Sequence, residues 1–324
     1  MNIAVATLGA LMLSAMQALS AGFERFTVPD TEGQPLEAGI WYPSEASASS
    51  EPLGLYRQTV ATSGAIAGRG LPLIVMSHGS GGSFEGHYDT AVALAEAGFV
   101  VAAITHTGDN YREQSGFTRV ENRPRHVTAL IDFMLASWPH RDRLDPARIG
   151  MFGFSAGGFT ALVAIGGVPD MTRIAPYCAT YADEWPCRKA KENHTDAPAG
   201  PAAFVHDPRV SAAVIAAPAL GFTFSPKGLA DIKASIQLWR GDSDELLPHP
   251  RHAQNVYEGL PTKPEYHVVP NAGHFAFLAP CTPMAESIAP MICRDPTGFD
   301  RAAFHGEFNR AVVTFFRAKL SARP

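Results

Sequence analysis

The fold is decided by residues 147–160, which read Ala-Arg-Ile-Gly-Met-Phe-Gly-Phe-Ser-Ala-Gly-Gly-Phe-Thr. Residues 149–152 form a short apolar run typical of a strand, and the small residues that follow Gly157 indicate a helix. Between them, residues 153–157 fit the pattern Gly-x-Ser-x-Gly. In a strand–turn–helix setting this pattern places the serine on a strained turn, where only glycines leave enough room. The stretch therefore predicts an exposed nucleophile at Ser155; the alternative is a Gly-rich turn without chemistry.

The composition indicates a globular chain with a sizeable core. It has 324 residues, of which 46% are hydrophobic and 18% charged. The formal net charge of −5 argues against nucleic acid or an anionic membrane surface as the main partner. We therefore expect a small-molecule partner, and composition leaves the oligomeric state open.

The N-terminal residues 1–21 resemble a secretory signal peptide. They are rich in Ala and Leu and end in the small-residue sequence Ala-Leu-Ser-Ala. No Lys or Arg precedes the apolar run, so an N-terminal helix or a misassigned start codon are the alternatives. Gln17 interrupts the run, which is also short for a membrane span, so we expect no stable membrane insertion. The prediction is a periplasmic or secreted protein with a catalytic domain at residues 22–324.

Four cysteines support export, because an even number fits an oxidising compartment. They are Cys178, Cys187, Cys281 and Cys293. Nearest-neighbour pairing gives Cys178–Cys187 and Cys281–Cys293, although four cysteines allow three connectivities. No two have Cys-x-x-Cys spacing, so we expect no metal site.

Apolar runs and helical patterns alternate along most of the chain, which predicts an α/β fold with helices on both faces of a mostly parallel sheet. Residues 44–70 are polar or small and predict a surface excursion. Residues 168–207 break the rhythm with prolines, charges and two cysteines, and we interpret them as a lid insertion. The predicted strands are 23–28, 36–42, 71–76, 99–105, 149–152, 210–216, 236–239 and 266–269, and the clearest predicted helices are 88–97, 124–137, 252–258 and 304–320.

Two loops that follow predicted strands supply partners for the serine. A serine hydroxyl needs a base and an orienting acid, and in this kind of fold they follow it in the order acid, then histidine. We assign Asp244 as the acid and His274 as the base, with Asp242 as a competitor for the acid. His78, His106 and His267 also lie near strand ends, where a structural or pocket-lining role is the more common one.

The oxyanion of an acyl-transfer reaction needs two preorganised N–H donors. One is expected from Ala156, the residue after the serine. The second is expected from the glycine-rich loop 78–82, where we select the amide of Ser80, with Gly79 as a neighbouring candidate. Aromatic side chains that could line an apolar substrate pocket, together with Gly79, are Phe84, Tyr181, Trp185, Phe275 and Phe277.

These motifs together resemble the α/β-hydrolases, and more narrowly the dienelactone-hydrolase-like proteins related to platelet-activating-factor acetylhydrolase. The resemblance covers nearly everything after residue 22. It rests on Trp41-Tyr42-Pro43, Ser77-His78-Gly79, residues 98–103 with His106, and residues 153–158. It implies a mixed eight-stranded sheet and ester hydrolysis without a cofactor.

The sequence departs from both relatives at informative positions. Dienelactone hydrolases carry a cysteine nucleophile where this chain has Ser155. The acetylhydrolases tend to have an arginine where Thr107 stands and a bulkier residue in place of Ala156. We therefore predict a serine esterase acting on carboxylic esters. The alternatives are a lactonase or phospholipase-type acylhydrolase, an amidase or peptidase, and an inactive binding protein on the same fold.

Overall fold

The computed structural model describes residues 18–192 and 204–322. A central eight-stranded sheet has the strand order β1-β2-β6-β5-β7-β8-β9-β10. Only β2 runs against the other seven strands. The strands of this sheet are β1 (Ser20–Val28), β2 (Leu36–Ser44), β5 (Leu71–Ser77), β6 (Val100–Ile104), β7 (Leu144–Phe154), β8 (Val210–Ala216), β9 (Ser235–Gly241) and β10 (Glu265–Val269). The two remaining strands, β3 (Ser49–Leu53) and β4 (Tyr56–Val60), pair with each other in a separate hairpin. The predicted mostly parallel sheet is confirmed.

Helices cover both faces of this sheet. On β5, Leu73 and Val75 pack into the core on one face, whereas Ile74 and Met76 pack into the core on the other. This alternation follows from the two-residue period of a strand, and burial on both faces explains why β5 is an uninterrupted apolar run. The helices are α1 (Tyr88–Glu96), α2 (Asn122–Ala136), α3 (Ala156–Ala164), α4 (Ile174–Thr180), α5 (Trp185–Glu192), α6 (Pro226–Leu229), α7 (Ala253–Gly259), α8 (Pro283–Ile288), α9 (Pro290–Cys293) and α10 (Arg301–Lys319).

Helix α2 and helix α10 show how the faces are filled. On α2, Val127, Leu130, Ile131 and Met134 are fully buried at helical spacing and belong to one core. Helix α10 contributes apolar residues to the core on the opposite face. A stripe of this kind is what an amphipathic helix presents to a sheet. Among the described residues, no helix has both the length and the apolar character needed to cross a bilayer.

The segment 44–70 differs from the predicted surface excursion. It contains the antiparallel hairpin of β3 and β4, which pairs Leu53 with Tyr56 across a turn at Gly54. Gly54 has φ +54°, a left-handed conformation that favours glycine. Leu53 and Val60 are fully buried against the main core, and burial alternates along β4. The hairpin is therefore a structural part of the core.

Two predicted segments lie partly outside the described residues. Of the predicted signal peptide, residues 1–17 are outside them, while Ser20 and Ala21 belong to β1 and pair with Ser44 and Pro43. Of the predicted lid insertion, residues 193–203 are outside them. The described part of that segment contains a 3-10 turn, α4 and α5, and the disulfide Cys178–Cys187 joins the two helices. The second disulfide is Cys281–Cys293, so nearest-neighbour pairing is confirmed.

Candidate active site

Ser155 lies on a sharp turn between β7 and α3. Its backbone has φ 55° and ψ −116°, a conformation that residues other than glycine rarely adopt. A Cβ on Gly153 would lie 2.1 Å from the carbonyl oxygen of Gly157, and a Cβ on Gly157 would lie 1.9 Å from that of Ser77. Both glycines are therefore required by close backbone contact. The turn projects the serine hydroxyl beyond the carboxyl end of β7, as the sequence pattern predicts.

The turn is tied to the neighbouring strand by backbone hydrogen bonds. The Ser155 amide donates to the carbonyl of Ala216 at 2.9 Å, and the Ala219 amide donates to the carbonyl of Ser155 at 2.9 Å. Such contacts can hold a strained residue in place, because the surrounding structure determines its conformation more than its own preference does.

His274 and Asp244 complete a chain of hydrogen bonds with the serine. Nε2 of His274 lies 3.0 Å from Oγ of Ser155, and Nδ1 lies 2.8 Å from Oδ2 of Asp244. All three residues are at least nine-tenths buried. The carboxylate can only accept a hydrogen bond, so it holds the proton on Nδ1 and leaves Nε2 free to accept the serine proton.

The loop after β9 selects Asp244 over Asp242. Oδ1 of Asp244 accepts the amides of Leu246 at 3.0 Å and Leu247 at 2.8 Å, which leaves Oδ2 for the histidine. Asp242 instead accepts the amide of Asn271 at 2.6 Å and makes no contact with His274. Of the two candidate acids, only Asp244 is brought to the histidine.

Sequence reasoning missed Glu245, whose Oε2 accepts the His274 amide at 3.2 Å. The side chain therefore ties the loop after β9 to the 3-10 turn at His274–Phe277. No pattern in the sequence distinguishes it from its acidic neighbours.

Ala156 and Ser80, the two expected oxyanion donors, both line one cavity next to Ser155. The Ala156 amide is the first N–H of α3, and the first four amides of a helix have no acceptor within it. Ser80, on loop 78–82, is also a lining residue of the cavity. A Cβ on Gly79 would lie 3.2 Å from Cβ of Ser155, so this loop passes directly against the serine.

The cavity next to the serine has a volume of about 90 Å³ and a mainly apolar wall. Besides Ser80 and Ala156, its lining residues are Phe117, Thr118, Val120, Met171, Ile174, Cys178, Trp185, Pro186, Ala190, Ala219, Leu220 and Phe222. None of them is charged. Of the five aromatic residues selected for the substrate pocket from the sequence, Trp185 is the one in this lining.

The other predicted pocket aromatics lie elsewhere. Phe84 is buried in the core, 6.2 Å from the ring of Trp41, so it is not available to a substrate. Tyr181 is 38% exposed and stacks under the guanidinium of Arg251. Phe275 lies beside the His274 ring at 5.4 Å and does not border the cavity. Phe277, also considered, is fully buried in the core.

Most of the cavity wall comes from residues that sequence reasoning did not select. Phe117 lies on the long loop after β6 and contacts the Trp185 ring edge-on at 5.6 Å. Phe222 follows β8 and stacks on Tyr177 at 3.5 Å. These loops have no periodic pattern, so the sequence contains no local signal for them.

The described part of segment 168–207 forms one side of the cavity. Met171, Ile174 and Cys178 line it from the first half of the segment, and Trp185 and Pro186 from α5. The carboxylate of Glu184 accepts a hydrogen bond from Tyr177 within the segment and one from Arg251 outside it, and the second contact ties the segment to the rest of the protein.

The other histidines selected from the sequence, His78, His106 and His267, form no hydrogen bond with Ser155. Burial, together with the nearby Arg123 charge, holds the pKa of His78 and of His106 well below the ordinary value. Nε2 of His78 accepts the His106 amide at 2.9 Å, which is a structural contact. His267 stacks on Trp239 at 3.8 Å and lies 2.7 Å from Glu265.

No protein-family model matches the chain. Among solved structures, a ferulic acid esterase from Streptomyces cinnamoneus is similar with a TM-score of 0.63 and 20% identity, covering 97% of this chain and 93% of that chain. A dienelactone hydrolase from Anabaena variabilis is similar with a TM-score of 0.54 and 16% identity, covering 93% of this chain and 99% of that chain. These similarities extend over nearly the whole chain and agree with the sheet order and the serine turn. The protein therefore has the α/β-hydrolase fold.

Proposed function

We propose that the protein is a serine hydrolase that cleaves carboxylic esters. The observation that carries the proposal is the buried series Ser155–His274–Asp244, with contacts of 3.0 and 2.8 Å. A nucleophile in hydrogen-bond reach of a base, with the base oriented by a carboxylate, is the arrangement that acyl transfer needs.

In this mechanism His274 accepts the proton of Ser155 through Nε2 while Oγ attacks the ester carbonyl. The amides of Ser80 and Ala156 stabilise the oxyanion of the tetrahedral intermediate. The His274 imidazolium, stabilised by Asp244, then donates its proton to the leaving alcohol, and an acyl-enzyme forms on Ser155. Water activated by His274 attacks this acyl-enzyme, the acid is released and the serine regains its proton.

The character of the cavity supports a substrate whose bound part is uncharged and apolar. The described residues of its lining are mostly aromatic and aliphatic and include no ionisable one, so a charged group would lose hydration without a partner among them. The described part of segment 168–207 supplies much of this wall, and we propose that it acts as a lid that controls access.

A lactonase is the second candidate, because a dienelactone hydrolase is among the proteins of similar structure. A lactone is a cyclic ester, so the same groups would open it. We also propose that the protein is periplasmic or secreted, which the two disulfides support.

The decisive experiment compares Ser155→Ala with the wild type on esters of graded acyl length, a lactone and an anilide. We expect Ser155→Ala to lose roughly 10⁴- to 10⁶-fold in kcat, because covalent catalysis is removed. A fluorophosphonate probe should label the wild type once, at Ser155, and should not label the variant.

Ser211→Ala is the matched control, since Ser211 lies on β8 and its hydroxyl contacts only the Ile149 carbonyl. It should keep both activity and labelling. Unchanged turnover in Ser155→Ala would overturn the proposal. Faster anilide than ester hydrolysis would favour an amidase, and no turnover with an unlabelled wild type would favour a binding protein.

A further inference from the structure

Loop 78–82 is held by a buried carboxylate from outside the candidate active site. Asp109, on the loop after β6, accepts the Gly81 amide through Oδ1 at 3.0 Å and the Ser80 hydroxyl through Oδ2 at 3.2 Å. Its side chain is only 4% exposed. Both oxygens thus bind the loop that carries the expected oxyanion donor Ser80, which lines the cavity.

This carboxylate is neutralised by an equally buried guanidinium. Nη1 of Arg123, from α2, lies 2.8 Å from Oδ2 of Asp109, and the Arg123 side chain is 2% exposed. A second nitrogen of the same guanidinium donates to the carbonyl of His78, at the start of the loop. Arg123 therefore restrains the loop both directly and through Asp109.

The same guanidinium also reaches the other oxyanion donor. Nε of Arg123 donates to Oγ1 of Thr160 at 3.2 Å, and that hydroxyl donates to the carbonyl of Ala156 at 2.8 Å. One rigid, planar group is thus connected to both sides of the oxyanion site. Arg suits this role because its donors project in a fixed geometry.

The two histidines next to this ion pair, His78 and His106, carry no charge. Nε2 of His78 accepts an amide, so this ring carries its proton on Nδ1, which lies 2.6 Å from the Gly79 carbonyl. Burial and the Arg123 charge lower the pKa of both His78 and His106, so both are neutral. Asp109 is therefore the counter-charge of Arg123 in this cluster.

We propose that the buried Asp109–Arg123 pair positions the Ser80 and Ala156 amides for oxyanion stabilisation, an inference that rests on the proposed ester hydrolysis. A buried ion pair contributes little net stability, because desolvation offsets its attraction. Its contacts concentrate on the two segments that carry the oxyanion donors. Both residues are positioning residues, since neither borders the cavity.

The test uses Asp109→Asn, which preserves shape but removes the counter-charge and one acceptor. We expect kcat for an ester to fall on the order of 10- to 100-fold, with KM changed less than about threefold, because the oxyanion forms only in the transition state. The matching thionoester should lose much less, since sulfur accepts hydrogen bonds weakly. Arg123→Lys keeps the positive charge but loses the planar guanidinium that donates in three directions. It should also lose more kcat on the ester than on the thionoester.

Asp207→Asn is the matched control. Asp207 is also buried and paired with an arginine, Arg209 at 2.6 Å, but it precedes β8 and so lies at the amino ends of the parallel strands, away from the candidate active site at their carboxyl ends. This variant should lose thermal stability and keep kcat on both substrates.

Each other outcome is decisive. Equal losses on ester and thionoester, or a kcat in Asp109→Asn equal to that of Asp207→Asn, would overturn the positioning role. Failure of both Asp109→Asn and Arg123→Lys to fold, while Asp207→Asn folds, would make the pair a structural element and also overturn it. Failure of the ester hydrolase proposal is seen separately, as unchanged turnover in Ser155→Ala.

Discussion

At the residue scale, the acid and the base of the proposed triad depend on backbone contacts in two loops. The Leu246 and Leu247 amides bind one oxygen of Asp244, so the other oxygen is aimed at Nδ1 of His274. Asp242, two residues earlier, is held by the Asn271 amide. The two carboxylates of this loop therefore make different contacts, and only that of Asp244 reaches His274.

This separation predicts unequal effects of two matched substitutions. Asp244→Asn should lower kcat by roughly 10³- to 10⁴-fold, because an amide does not stabilise the imidazolium and favours the wrong tautomer. Asp242→Asn should change kcat less than about tenfold, since its carboxylate binds an amide of the neighbouring loop. Steady-state kinetics on one ester measures both. A larger loss of kcat in Asp242→Asn would show that Asp244 is not the orienting acid.

At the scale of elements, the disulfide Cys178–Cys187 joins α4 to α5 beside the cavity. Cys178 and Trp185 line the cavity, and the serine lies on a different element, the turn before α3. The cross-link therefore restrains the wall of the cavity and not the reacting groups. Cys281–Cys293, by contrast, joins the segment after His274 to α9.

We expect Cys178→Ser with Cys187→Ser to raise KM and broaden the preferred acyl length, while kcat on the best substrate changes less than about threefold. Cys281→Ser with Cys293→Ser is the comparison. It should lower the free energy of unfolding by about 2–3 kcal/mol, as expected for a short cross-linked loop, and lower activity as well. The panel of graded esters and thermal unfolding give both readouts. An unchanged KM profile in the first pair would contradict a role of this wall in access.

At the scale of the whole molecule, buried neutral histidines tie stability to pH. Burial lowers the pKa of His87 to about 4, an effect that Asp89 only partly opposes, and burial also lowers that of His126 to about 4. The unfolded chain has ordinary histidines with a pKa near 6.5. Between these values the unfolded state binds more protons, so the protein loses stability as the pH falls from 6.5 towards 4.

The prediction is that the free energy of unfolding falls by about 1.4 kcal/mol per pH unit for each such histidine in this range. His87→Gln removes one of them and should flatten the pH dependence, although the variant is less stable at pH 7.5. Urea unfolding at pH 5.0 and 7.5 measures the difference. Parallel stability curves for variant and wild type would show that His87 does not carry a lowered pKa.

Much of this structure followed from patterns between neighbours in sequence. Glycines at 153 and 157 around Ser155 specify the turn, because both make backbone contacts that exclude a side chain. The apolar period of strands and helices placed the ends of β9 and β10, and with them His274. The hairpin at 49–60 was missed although burial alternates along β4, because its polar outer face resembles a loop.

The sequence by itself determined the sheet and the serine turn, because these depend on local periodicity and on steric limits within a few residues. The order of the proposed catalytic residues was expected from the kind of fold that these patterns predict. Only the tertiary structure shows that Asp244 and not Asp242 hydrogen-bonds to His274, that Phe84 lies in the core and that Asp109 binds loop 78–82. Those outcomes depend on side chains from distant segments meeting in three dimensions, and no spacing along the chain encodes such a meeting.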